Sequence, residues 1–181
     1  MLIKKINDYL LPDWQISDLR QTNWPKLYQR GIKVALLDLD NTLAPHGSNS
    51  GDDYSRAVIE AVKQAGIVPV LLTNAKDDRG QQFARSSGMA FEGSAGKPGT
   101  KGIERIKQRY DVTSREIVLV GDQIFTDVWA GKRAGVYVLK VEQLSRSEII
   151  TVKLKRILER LLIRKSLYNN LEDISLTKDS I

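Results

Sequence analysis

The 181-residue sequence has no cysteine and a single histidine, His46. Without thiols there are no disulfides and no thiolate metal centres, and a reducing compartment suits the chain. No apolar run is long enough to span a bilayer. The residues after Met1, with Lys4 and Lys5 ahead of the polar stretch 7–9, lack the apolar core of a signal peptide. The expectation is a cytoplasmic protein. Aromatics are few, at 7% of residues, and only Tyr168 lies close to the basic residues near the C-terminus. A groove that stacks bases between cations is therefore not expected, and no specific nucleic-acid partner is assigned.

What is present is ordinary for a globular chain, with 41% hydrophobic and 28% charged residues. The length suits one domain with appendages. Net charge is +6, but residues 146–165 hold seven basic and two acidic side chains, a net +5, which leaves the remainder at +1. Within that segment Ile150, Leu154, Ile157, Leu158, Leu161 and Leu162 form a helical stripe, flanked by Lys153, Lys155, Arg156, Arg160 and Arg164. Residues 146–168 thus read as a basic amphipathic helix. It either packs on the domain or on a second subunit, or docks peripherally on an anionic membrane at the inner face. Residues 169–181 read as a flexible tail, 1–30 as an N-terminal segment packed on the core, and 31–145 as the main domain.

That domain alternates strands and helices. "KVALLDL" and "IVPVLLTN" are apolar strands separated by the helix "GDDYSRAVIEAVKQAG"; "DDRGQQFARSSG" is a polar helix, "MAFEG" a third strand and "GTKGIERIKQRYD" a third helix. "EIVLVGD", "TDVWAGKRAG" and "VYVLKV" complete the alternation. All-apolar strands joined by helices predict an α/β fold with a doubly wound, mostly parallel five-stranded sheet. In such sheets the chemistry gathers beyond the carboxyl ends of the strands. The polar residues there are Asp38 and Asp40, Thr73 and Asn74, and Asp122, with Lys97 and Asp127 opening the following helices.

Asp38 and Asp40 are two apart in a strand, so their carboxylates share a face. Like charges that close are costly without a compensating cation. Four carboxylates around one point, with no histidine or cysteine among them, suit Mg²⁺. Lys97 and Thr73 are donors of the kind that hold phosphate oxygens. A carboxylate can attack phosphorus, and a second can protonate the leaving oxygen and then activate water.

"DLDNTL", "LLTNA", "GKP" and "GDQIFTD", in this order, resemble the four motifs of the haloacid dehalogenase superfamily of phosphatases. The resemblance implies a Rossmann-like fold, Asp38 as nucleophile and Asp40 as general acid/base, with the Asp40 carbonyl also on Mg²⁺. It implies that Thr73 and Asn74 contact the transferring phosphoryl group, that Lys97 stabilises it, and that Asp122 and Asp127 complete the metal shell. The intervals between Asp40 and Thr73, and between Asn74 and Pro98, leave no room for a cap domain. A capless site is open to bulky phosphomonoesters and resembles the subclass IIIA enzymes. "LLPDWQISDL" and "GDQIFTDVWAGKRAG" further resemble the YqeG-type phosphatases, which implies phosphatidylglycerophosphate as substrate; a soluble phosphometabolite is the alternative.

Other readings fit less well. A receiver or phospho-binding module would carry its acceptor aspartate after the third strand, where Glu92 and Gly93 stand. A nucleotide-binding P-loop at Lys97 fails because Phe91 replaces the first glycine and Pro98 the Ser/Thr. His46 reads as a polar loop residue, and Trp14 and Trp24 as packing residues.

Overall fold

The computed structural model describes residues 9–48, 50–74, 78–144 and 174–175. Strands β1 (Trp14–Ile16), β2 (Val34–Leu37), β3 (Val68–Leu72), β4 (Ala90–Glu92), β5 (Ile117–Gly121) and β6 (Tyr137–Val141) form one sheet in the order β1-β6-β5-β2-β3-β4. Every pairing is parallel. Helices α1 (Trp24–Gln29), α2 (Asp53–Gln64), α3 (Asp78–Ser86), α4 (Lys101–Tyr110) and α5 (Trp129–Ala134) make the connections.

The sheet has six strands where the sequence predicts five. The extra one, β1, comes from the N-terminal segment and is too short to announce itself by periodicity. Asp13 pins it to the edge: its backbone N–H donates to the Val138 carbonyl, and its carboxylate accepts from the Val138 N–H at 2.8 Å and from Lys132 Nζ at 2.6 Å. Trp14 stacks on Tyr137 with ring centroids 5.1 Å apart.

Side chains of the central strands alternate between two cores. Ala35, Leu37, Leu71, Val118 and Val120 face one layer with Val58, Ile59 and Val62 of α2. Val34, Leu36, Val70, Leu72, Ile117 and Leu119 face the other with Ile103 and Ile106 of α4 and Ala130 of α5. Helix α2 begins where Asp52 accepts from the Ser55 N–H at 2.9 Å, carries Asp53 in its first turn and Lys63 in its last, and is followed by Gly66 at φ +83°.

Among the described residues, helix α2 and strand β3 lie in the interval between Asp40 and Thr73, and α3 and β4 in that from Asn74 to Pro98. The expected helix over 146–168 lies outside the described residues. Ile174, in the stretch read as flexible, is buried, and its carbonyl accepts from the Asn23 N–H at 2.8 Å. An apolar side chain at that position finds a seat on the first core layer, which the local polarity of the tail conceals.

Candidate active site

Strands β2, β3 and β4 run outward in one direction from the sheet centre, and β5 and β6 in the other. The reversal falls between β2 and β5, which is where an open α/β sheet leaves a crevice at its carboxyl edge. Asp38 follows β2 there, its N–H donating to the Val120 carbonyl at 3.0 Å, and Asp122 follows β5. Both are buried. The backbone from Gln123 into α5 winds as a π-helical turn, Ile124–Val128. Asp127 in that turn is held by the Gln123 N–H at 3.1 Å and Thr126 Oγ1 at 3.3 Å. Such wide turns are frequent at functional sites.

Lys97 comes from the far side of the crevice, and its ammonium makes three contacts. These are Asp38 Oδ1 at 2.5 Å, Asp127 Oδ1 at 2.7 Å and the Leu72 carbonyl at 3.0 Å. Asn74 positions the Lys97 loop: its side-chain amide donates to the Lys97 carbonyl and its side-chain oxygen accepts from the Lys97 N–H, both at 2.8 Å. The structure therefore sets Asn74 on the lysine backbone, where the sequence points to phosphoryl contact. Thr73 is buried, its backbone fixed by Glu92 on one side and Ala95 on the other.

Asp38, Asp122 and Asp127 each offer one carboxylate oxygen, and the three lie within 4.8 Å of one another. The sequence predicts four carboxylates about this point; the structure gathers three. Asp40 turns away instead. Leu39 and Leu43 are fully buried and close a tight turn at Asn41, which has φ +60°. From there the Asp40 side chain meets a cation. Arg79 on α3 grips it with two parallel contacts, Nη1 to Oδ1 at 2.9 Å and Nη2 to Oδ2 at 2.7 Å. The Gly47 N–H and His46 Nδ1 also reach Oδ1, each at 3.2 Å. Burial would raise the Asp40 pKa, but Arg79, together with the Gly47 N–H and His46, holds the carboxyl below its ordinary value.

Arg79 is the functional-site candidate that the sequence reading omits. A signal was present: the first turn of a helix is the positive end of its dipole, an unfavourable place for a cation unless an anion waits there. His46, read as a loop residue, also lies beside Asp40.

The buried cluster has an electrostatic deficit. Among the described residues three carboxylates gather about the Lys97 ammonium, an arrangement that a further cation would relieve. Burial, more than the repulsion of Asp127 and Asp122, raises the Asp38 pKa to about 8 even against the pull of Lys97. Burial opposes the Lys97 ammonium, yet Asp127 and Asp38 win and raise its pKa. Desolvated carboxylates of this kind stay ionised when a divalent cation joins them, and an all-oxygen set fits Mg²⁺. The residues present thus fit the metal.

The chain is similar to known proteins in sequence and in fold. The family described as haloacid dehalogenase-like hydrolases matches residues 50–135, a span that holds Thr73, Lys97, Asp122 and Asp127. The chain is 27% identical over 155 residues to the probable phosphatase YqeG of Bacillus subtilis, covering 86% of this chain and 90% of that one. It is 31% identical over 192 residues to the chloroplastic/mitochondrial phosphatidylglycerophosphate phosphatase 1 of Arabidopsis thaliana, covering 98% of this chain and 55% of the plant enzyme. The chain thus spans about half the length of that relative. In fold it is similar to an uncharacterized protein from Listeria monocytogenes, with a TM-score of 0.51 at 15% identity over 72% of this chain and 98% of the other.

Proposed function

We propose that the chain, which is similar to the haloacid dehalogenase-like hydrolases over residues 50–135 and to the probable phosphatase YqeG, hydrolyses a phosphomonoester through a phosphorylated Asp38. The observation that carries this reading is the ammonium of Lys97 bridging Asp38 and Asp127 beside Asp122. A phosphoryl group arriving at Asp38 meets that cation and the buried Thr73 at once.

Asp38 attacks phosphorus, and the bond to the leaving oxygen breaks. Asp40, two residues on, passes a proton to that oxygen, one it must take up before the step because Arg79 holds it ionised in the free enzyme. Asp40 then takes a proton from water as the water attacks the phosphorylated Asp38, which returns the free carboxylate and releases inorganic phosphate. Lys97 offsets charge on the transferring group, and Asn74 keeps the lysine loop in place. Asp38, Asp122 and Asp127, with the Asp40 carbonyl, would hold Mg²⁺, which supplies positive charge for the meeting of two anions.

The short intervals, each taken up by one helix and one strand of the sheet, support a capless site of the IIIA kind. An open site suits a large phosphomonoester, and phosphatidylglycerophosphate is the substrate named for the plant relative. No helix among the described residues is long and apolar enough to cross a membrane. The N–H of Leu144 donates to the carbonyl of Asn41 at 3.1 Å, so the last described residue before the basic segment lies next to the Asp40 turn. Peripheral contact of that segment with anionic lipid would place a lipid phosphomonoester near Asp38.

The test is Mg²⁺-dependent release of phosphate from p-nitrophenyl phosphate by the purified chain and by Asp38→Asn. The wild type turns over and the variant loses several orders of magnitude, as expected when a covalent path is removed. Turnover near wild type in the variant overturns the assignment of Asp38.

A further inference from the structure

Two cations attend the two aspartates of the first motif, one inside and one at the mouth. Lys97, its side chain 3% exposed, touches Asp38; Arg79, at 15%, grips Asp40. The inner pair is arranged for a phosphoryl group. The outer pair does something else, because both oxygens of Asp40 are occupied by the guanidinium fork. The fork takes one lone pair of each oxygen, so a leaving group that approaches Asp40 meets Arg79 beside it. Arg79 also donates to the carbonyl of Ser48 at 3.2 Å, a contact that can keep the side chain at the mouth when Asp40 is released.

Resting on the phosphatase reading above, we infer that Arg79 is a specificity-determining residue, drawn off Asp40 by a second anionic group on the substrate. A guanidinium moves readily between planar oxyanions, since a carboxylate and a phosphodiester offer it the same two-oxygen face. A substrate whose scissile phosphate sits at Lys97 and whose remaining body carries an anion would meet Arg79 on its way out of the crevice. Binding and release of the proton-transfer group are then one exchange. A phosphomonoester without a second anion reaches Lys97 but draws Arg79 off Asp40 less readily, and so turns over more slowly.

The experiment compares three substrates in wild type, Arg79→Gln and Arg79→Lys, all with Mg²⁺. p-Nitrophenyl phosphate has no second anion. Glycerophosphoglycerol phosphate is water-soluble and carries a phosphodiester. Its dioctanoyl lipid counterpart presents the same headgroup from an amphiphile, so the two separate headgroup recognition from a preference for lipid. The expected result is a wild-type kcat/KM preference of at least about tenfold for both phosphodiester substrates over the aryl phosphate. That preference collapses in Arg79→Gln through a rise in KM for those substrates, and Arg79→Lys keeps part of it. Far-ultraviolet circular dichroism and thermal unfolding check that each variant folds, and a merely structural loss would depress all three substrates alike. A ratio unchanged in Arg79→Gln, or a preference for the lipid alone, overturns the role of Arg79 while p-nitrophenyl phosphate turnover leaves the phosphatase reading intact. Wild-type protein inactive on all three substrates overturns both.

Discussion

Asp127 leans over Gly121 so closely that a Cβ at position 121 would fall 2.5 Å from both Cβ and Oδ2 of the aspartate. The last residue of β5 therefore has no side chain for a stated reason: the carboxylate that meets Lys97 occupies the space. Gly121→Ala is expected to push Asp127 off the lysine, with a loss of at least about tenfold in phosphatase activity and a stability cost of about 1–3 kcal/mol from overpacking. Phosphate release and thermal unfolding measure the two effects. Wild-type activity in a folded Gly121→Ala protein would contradict the placement.

Removing one of three clustered carboxylates should be felt first in metal affinity. For Asp122→Ala, the Mg²⁺ concentration giving half-maximal activity is expected to rise by at least about tenfold, and excess chelator should silence the wild type. Titration of activity against Mg²⁺ checks both. Full activity in excess chelator, with no metal in the protein, refutes the metal requirement.

Glu116 supplies a pH dependence away from the site. The Lys33 ammonium, with the N–H and hydroxyl of Thr113, lowers its pKa from 4.5 to about 2. The folded state thus favours the ionised form. The stabilisation is complete above the unfolded value and disappears as pH falls through about 2. Glu116→Gln should melt below the wild type at pH 7. The gap in Tm should close as pH falls from about 5 to about 2, which a pH series of melting curves would reveal.

The basic segment gives the last prediction. Deleting residues 146–181 would also remove Ile174, which packs on the core, so charge neutralisation is the cleaner change. Replacing Lys153, Lys155, Arg156, Arg160 and Arg164 with Gln is expected to abolish co-sedimentation with anionic vesicles at low salt. At about 1 kcal/mol per basic residue near an anionic surface, wild-type binding should weaken strongly as salt is raised. Equal pelleting of the two proteins would leave packing on the domain or on a partner as the segment's role.

The sequence by itself determined most of the sheet and most of the site residues. Apolar runs bounded by aspartate, threonine or glycine are local patterns, and parallel strands buried on both faces demand them. The position of Asp38, Thr73 and Asp122 at strand ends followed from the same runs, since a chain leaving a buried strand meets the crevice at once. Tertiary structure decided what no local pattern carries. Trp14–Ile16 became a strand only because Asp13 and Tyr137, far apart in the chain, receive it at the edge of β6. Ile174 was fixed by a seat near Trp24. Asp40 lies apart from the carboxylate cluster, where Arg79, 39 residues away in the chain, holds it in a fork. Charge balance in a desolvated crevice is a sum over neighbours in space, and the order of residues along the chain does not state it.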